Sequence, residues 1–151
     1  MTVPNQPPTP EQIQGISKQN AVQLAEIVSQ VANEAGLEPR SIYGPDRDQY
    51  AVAFRRALWW TFRDGYGMTY ENISKLFKSR NGGHFNHSSV MAGITEVREE
   101  ALMTFNETKG KWVSQRGNPS DPMLRQALQI VAQIWNSNNP YNQLKTWKNL
   151  V

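Results

Sequence analysis

The chain contains no cysteine, which excludes disulfides and thiolate metal sites and fits a reducing compartment. Histidine is nearly as scarce. His84 and His87 are the only two, and without a paired acid they make a poor metal site, so capping or polar-turn roles suit them better. No apolar run approaches the length that crosses a bilayer. Met1 to Pro10 has neither the basic region nor the apolar core of a secretory signal. No Gly-x-x-x-x-Gly-Lys-Ser/Thr string occurs, which argues against nucleotide binding, and no nucleophile–base–acid constellation stands out. The sequence therefore predicts a non-enzymatic chain with no metal, cofactor, nucleotide or membrane partner. Strand alternation, internal repeats and coiled-coil heptads are also missing, so the expected fold class is all-α.

What is present is a basic, moderately apolar chain of 151 residues, long enough for a real core, with 38% hydrophobic residues and a mean hydropathy of −0.63. Its net charge of +3 is unevenly laid out. Arg40 to Arg80 holds eight Lys/Arg against four Asp/Glu, whereas Met1 to Pro39 sets Lys18 against Glu11, Glu26, Glu34 and Glu38. A local basic excess fits a nucleic-acid footprint, and it equally fits an ordinary solvated surface.

Residues 1–16 read as a proline-rich arm and a short helix, with Thr9 as cap, Pro10 in the first turn and Gln12 reaching back. Gly15 and Ser17 mark a break and a restart. Residues 17–109 read as a helical domain. Its first helix carries Ala21, Leu24, Ala25, Val28, Val31, Ala32 and Ala35 on one face and ends at Gly36-Leu37. Ser41 to Pro45 reads as a turn-like connector. Asp46 to Tyr66 is a helix apolar on almost every side, as a central or partner-covered helix would be; Gly65 and Gly67 end it. Residues 110–151 read as a helical extension packing on the domain or on a partner. Within it Asp121-Pro122 starts a helix bearing Leu124, Ala127, Leu128, Val131, Ala132 and Trp135, and Tyr141 to Val151 is a last amphipathic piece. Asn106 to Asn118 reads as a loop pinned by Trp112.

Residues 69–105 carry the most specific pattern: two helices joined by a glycine-broken turn at Asn81-Gly82-Gly83. Thr69 caps the first, Ile73, Leu76 and Phe77 point inward, and Lys75 and Lys78 stay outside. The second opens at Asn86 and buries Val90, Ile94, Val97 and Ala101, leaving Ser88, Ala92, Thr95 and Glu99 opposite. His87, Ser88 and Ser89 then carry the free N–H groups of a first helical turn, which can meet a phosphate backbone or simply be solvated.

Val31-Ala-Asn-Glu-Ala-Gly-Leu37, Arg55-x-x-Leu58 through Arg63-Asp64, Thr69 to Phe77, and Asn86-His-Ser-Ser-Val-Met91 together resemble the C-terminal DNA-binding domain of the bacterial replication initiator DnaA. The likeness spans roughly Ile27 to Leu102, and its most distinctive string is Asn86 to Val90, set against the family's Asp-His-Thr-Thr-Val. The resemblance implies a helix-turn-helix bundle of the Trp-repressor/DnaA C-terminal type, without the ATPase domain and with additional N- and C-terminal helices. It implies double-stranded DNA as partner. Arg55 would match a DNA-touching arginine, Arg63 a basic position on the same helix, and Asn86, His87, Ser88 and Ser89 the base- and phosphate-contacting signature. Lys75, Lys78 and Arg80 would add phosphate contacts. The chain departs from the family at the turn, which is longer, at Asn86, which replaces an aspartate, and at Thr95-Glu96, which replaces a basic pair. Glu99 and Glu100 add further negative charge beside a phosphate backbone.

Two functions follow as expectations. One is a duplex-binding protein, encoded by a phage or mobile element and acting in the cytoplasm of a bacterial host. The other is a structural or assembly protein, such as a virion ring or head–tail connector component, that reuses the fold for contacts with its own copies or with phage structural proteins. Trp59, Trp60, Trp135 and Trp147 are the candidate anchors of such an interface, and core filling is the other reading of them.

Overall fold

Helix α3, Gln49–Asp64, buries ten of its sixteen residues, and the other helices pack around it. It begins where Asp48 accepts a hydrogen bond from the Tyr50 N–H (2.8 Å), and its density of Ala, Phe, Leu and Trp gives it no broad solvent face. This computed structural model describes residues 7–13, 15–79 and 83–146, and element statements refer to those.

The chain enters through a single 3₁₀ turn, Pro10–Gln12, where the Gln12 side chain takes the Thr9 N–H (2.8 Å). Helix α1, Lys18–Ala35, is capped by Ser17 and closes at Gly36, whose φ of 71° is the left-handed value a glycine cap supplies. A short α2, Pro39–Tyr43, leads to α3. Helix α4, Tyr70–Lys75, is capped by Thr69, and α5, His87–Ala101, by Asn86. A hairpin follows, with β1, Thr104–Asn106, antiparallel to β2, Lys111–Val113, in the register Phe105 opposite Trp112. Helix α6, Pro122–Asn138, begins at the Asp121 cap and lies along α3, with further contacts to α1 and α5. All six helices contribute to one continuous hydrophobic cluster. The described part of the segment, residues 110–146, thus packs on the domain: Leu124, Ala127, Leu128, Val131, Ala132 and Trp135 all lie in the core, as their spacing predicts. No helix among the described residues is long and apolar enough to cross a membrane.

The architecture is mostly helical, with local departures from the expected elements. The six helices agree with the all-α expectation, to which the structure adds the small β1–β2 hairpin. Three residues per strand are too few for an alternation pattern to register, and the turn between them includes Gly110 at a φ of 64°. Helix α5 accordingly stops at Ala101 rather than near Phe105. The connector after Gly36 contains α2, begun by Pro39 in its first turn. Residues 141–146 form no helix. The remainder of the last amphipathic piece, including Trp147, lies outside the described residues.

A buried ion pair closes the C-terminal half. Glu100, 1% exposed, accepts hydrogen bonds from Arg125 Nη1 (2.9 Å), Ser120 Oγ (2.6 Å) and the Asp121 N–H (2.8 Å). The Arg125 guanidinium also lies 3.8 Å from the centroid of Trp112, which pins the hairpin to the start of α6. Charge removal at this point takes the Glu100 carboxylate away from a buried guanidinium. Glu100→Gln is expected to cost about 3 kcal/mol, read as a lower urea midpoint at unchanged slope.

Candidate nucleic-acid interface

The start of α5 faces outward. Asn86 turns its side-chain oxygen to the Ser88 N–H (2.8 Å), and Asn86, His87, Ser88 and Ser89 are all exposed. Beneath them Val90, Ile94, Val97 and Ala101 are fully buried, as the helical spacing predicts. Gly93 completes that inner face. A Cβ added there would come within 2.9 Å of two atoms of the Trp59 ring and 3.3 Å of Arg56 Cγ. The missing side chain lets α5 lie directly on α3.

The connector from α4 to α5 is longer than a simple turn. Lys78 and His84 form an antiparallel bridge, Ser79 N–H donates to the Gly83 carbonyl (2.7 Å), and Lys78 N–H reaches back to the Tyr43 carbonyl (2.8 Å). Its tip, with Arg80 and the Asn81-Gly82 part of the glycine break, lies outside the described residues. Lys75 is exposed beside Glu71 (3.6 Å), and Lys78 is half-buried at the base of the connector.

Arg55 does not take the role the resemblance implies. It is 3% exposed. Its Nε donates to the Ile42 carbonyl (2.8 Å), and its Nη2 reaches the carbonyls of Ser41 (3.0 Å), Gly44 (2.6 Å) and Asp46 (3.0 Å). Burial pulls the guanidinium down to about 10, so it remains charged at neutral pH. It is a staple for the α2–α3 connector and has no face to offer a phosphate. Its neighbour Arg56 points out instead and pairs with Glu96 (2.8 Å). The sequence held a signal for this exchange. Ala51, Arg55, Leu58 and Phe62 follow the spacing of one inward stripe, and all four are buried. Val52 and Arg56, four apart, are only partly buried. Arg63 is partly engaged, donating to the Met68 carbonyl (2.9 Å) with its guanidinium 4.5 Å from the Tyr70 ring centroid.

Of the tryptophans named as interface anchors, Trp59, Trp60 and Trp135 are core residues, and Trp147 lies outside the described residues. Trp59 is 3% exposed, Trp60 2% and Trp135 0%. Trp59 meets Phe77 and Phe85 edge-on at centroid distances of 5.8 and 5.3 Å. Trp135 donates its ring N–H to the Asn142 carbonyl (2.8 Å). Filling the space between α3, α5 and α6 consumes these rings.

The acidic residues of α5 are likewise taken up internally. Glu96 pairs with Arg56 and Glu100 with Arg125. Glu99 accepts from Asn118 Nδ2 (3.0 Å), and hydrogen bonds from Asn118 and Ser114 hold its carboxyl below the usual carboxylate range. On the other flank Arg98 grips Asp64 through Nε (3.1 Å) and Nη2 (2.5 Å). Ser88, Met91, Ala92 and Thr95 lie exposed between the two flanks.

Compared with protein-family models, with curated proteins and with solved structures, the chain finds no match in any of the three.

The two adjacent arginines of α3 separate structural from surface charge. Arg55→Lys removes the planar fork that serves four carbonyls and should cost about 2–4 kcal/mol. Arg56→Gln should cost less than about 1 kcal/mol, because its ion pair is exposed. Chemical denaturation of both variants checks the ordering.

Proposed function

We propose that this chain is a duplex-DNA-binding protein in which α4, the bridged connector and α5 act as a helix-turn-helix related to the DnaA C-terminal domain. The exposed, uncovered N-terminal turn of α5 carries the reading. Backbone N–H groups and small hydroxyl side chains at that end suit phosphate and base-edge contacts. The small outward face of Ser88, Ala92 and Thr95 allows close approach to a major groove. Ser88 and Ser89 would touch base edges, with Asn86 and His87 at the phosphate boundary. Lys75, Lys78, Arg63 and Arg80 would hold backbone phosphates. Arg55 is left out of this set because its guanidinium is spent on carbonyls.

Two further observations support the reading. The glutamates of α5 that would repel a phosphate backbone each have an internal partner. Three of the four tryptophans offered as anchors for the competing assembly role, Trp59, Trp60 and Trp135, are inside the core.

Fluorescence anisotropy with a labelled random-sequence duplex tests the proposal. Affinity is expected to fall steeply as salt rises, and Lys75→Gln with Lys78→Gln should flatten the log–log slope by about 2, close to 0.9 per lost phosphate contact. Ser88→Ala or Ser89→Ala should leave the slope in place and change the ranking of duplex sequences. Absence of salt-dependent binding by the unaltered chain overturns the proposal.

A further inference from the structure

Helix α5 has two flanks, and only one of them belongs to α4. Arg98 carries α4's side: Tyr70, the first residue of α4, is near enough to help raise the Arg98 pKa and lies under the Arg63 guanidinium. Glu96 projects about 160° away from Arg98 around the helix. On that opposite flank Glu96 meets Arg56, which rises from α3 past the backbone of Gly93. Arg56 does not stand alone there. Together with Arg47, Gln49, Val52, Asp121 and Met123 it lines a cleft of about 390 Å³ between the first half of α3 and the start of α6. Arg47 is exposed, and Arg56 keeps 38% of its side chain open to solvent. The acid in the cleft, Asp121, is already committed: its carboxylate accepts the Met123 and Leu124 N–H groups as the cap of α6.

We infer that this cleft is a second phosphodiester site, in which Arg47 and Arg56 hold the DNA strand across the groove from the one that Lys75 and Lys78 hold. A helix seated in a major groove is bordered by two backbones, and a module with cations on one border only would neutralise a single strand. Here α4, which carries Lys75, packs on α5, and Arg56 meets Glu96 on the flank of α5 away from Arg98. In the free protein Glu96 occupies Arg56. Seating a phosphate there exchanges one anionic partner for another, so Glu96 sets how much affinity the site contributes.

The inference rests on the duplex-binding reading, and one titration series separates the two. Binding of a random-sequence duplex is measured against salt for the unaltered chain, for Arg47→Gln/Arg56→Gln, for Glu96→Gln, and for Lys75→Gln/Lys78→Gln. Glutamine keeps much of the Arg56 stem over Gly93, and thermal melts confirm that each variant folds. The arginine pair variant is expected to flatten the salt slope by about 2, as the lysine pair does. Glu96→Gln should tighten binding about two- to tenfold at low salt by releasing Arg56. If the lysine pair flattens the slope while the arginine pair and Glu96→Gln leave it and the affinity unchanged, the second site is overturned and duplex binding stands. If the unaltered chain binds no duplex, both fall.

Discussion

The contact that sets the outward posture of α5 is the one between Gly93 and the ring of Trp59. With no Cβ at 93 the helix backbone rests against the six-membered ring of the indole, and Phe77 and Phe85 close around the same side chain. Interiors are packed to crystal-like density, so a ring held on three sides cannot yield to an added methyl. The preference for packing is strong enough that Trp59 Nε1 is buried without a hydrogen-bond partner among the described residues. Once α5 is fixed at that height, its flanks fall within reach of α3: Arg56 meets Glu96 on one side, Asp64 meets Arg98 on the other. What remains uncovered between those ion pairs is the surface assigned here to DNA.

Two buried charges hold the irregular segments that frame this surface, by one physical rule. A charge removed from water must recover its solvation from the protein. Arg55 does so from four carbonyls between Ser41 and Asp46, pulling the connector before α3 against the core. Glu100 does so from Ser120, Asp121 and Arg125, tying the last turn of α5 to the start of α6. Neither group faces a partner. Both keep loops in place that would otherwise let α5 shift relative to its cationic neighbours, so a stability change at either residue would precede any change in recognition.

Much of this was legible in the sequence because helix periodicity, caps and glycine stops act locally. Ser17, Thr69, Asn86 and Asp121 each cap the helix their position announces, and Gly36 ends α1 in the left-handed conformation. The inward stripe of α5 and the core face of α6 follow from spacing alone. Three features were not legible, for different reasons. The β1–β2 hairpin is too short for its period to register. The fate of Arg55 depends on which carbonyls a connector brings to it, a tertiary fact, although its place in a buried stripe with Leu58 and Phe62 was a usable clue. The interior position of Trp135 depends on α6 folding back on α3, and that of Trp59 on α5 lying over it, neither of which a local pattern encodes. Asn86 to Ser89 emerge exposed as expected, whereas the outward turn of Arg56 was not legible because a count of charges does not say which arginine of a tandem pair faces out.

The central claim is that the face of α5 from Asn86 to Thr95 is the surface that meets DNA. Backbone-amide NMR of the isotopically labelled chain, recorded as a short duplex is added, tests it most directly. The account predicts that the largest shifts map to Asn86–Met91, Thr95 and the Lys78–His84 connector, and fade when salt is raised. Shifts centred on the exposed Leu102 and Phe105 of the hairpin end, with Asn86–Thr95 unmoved, would contradict it.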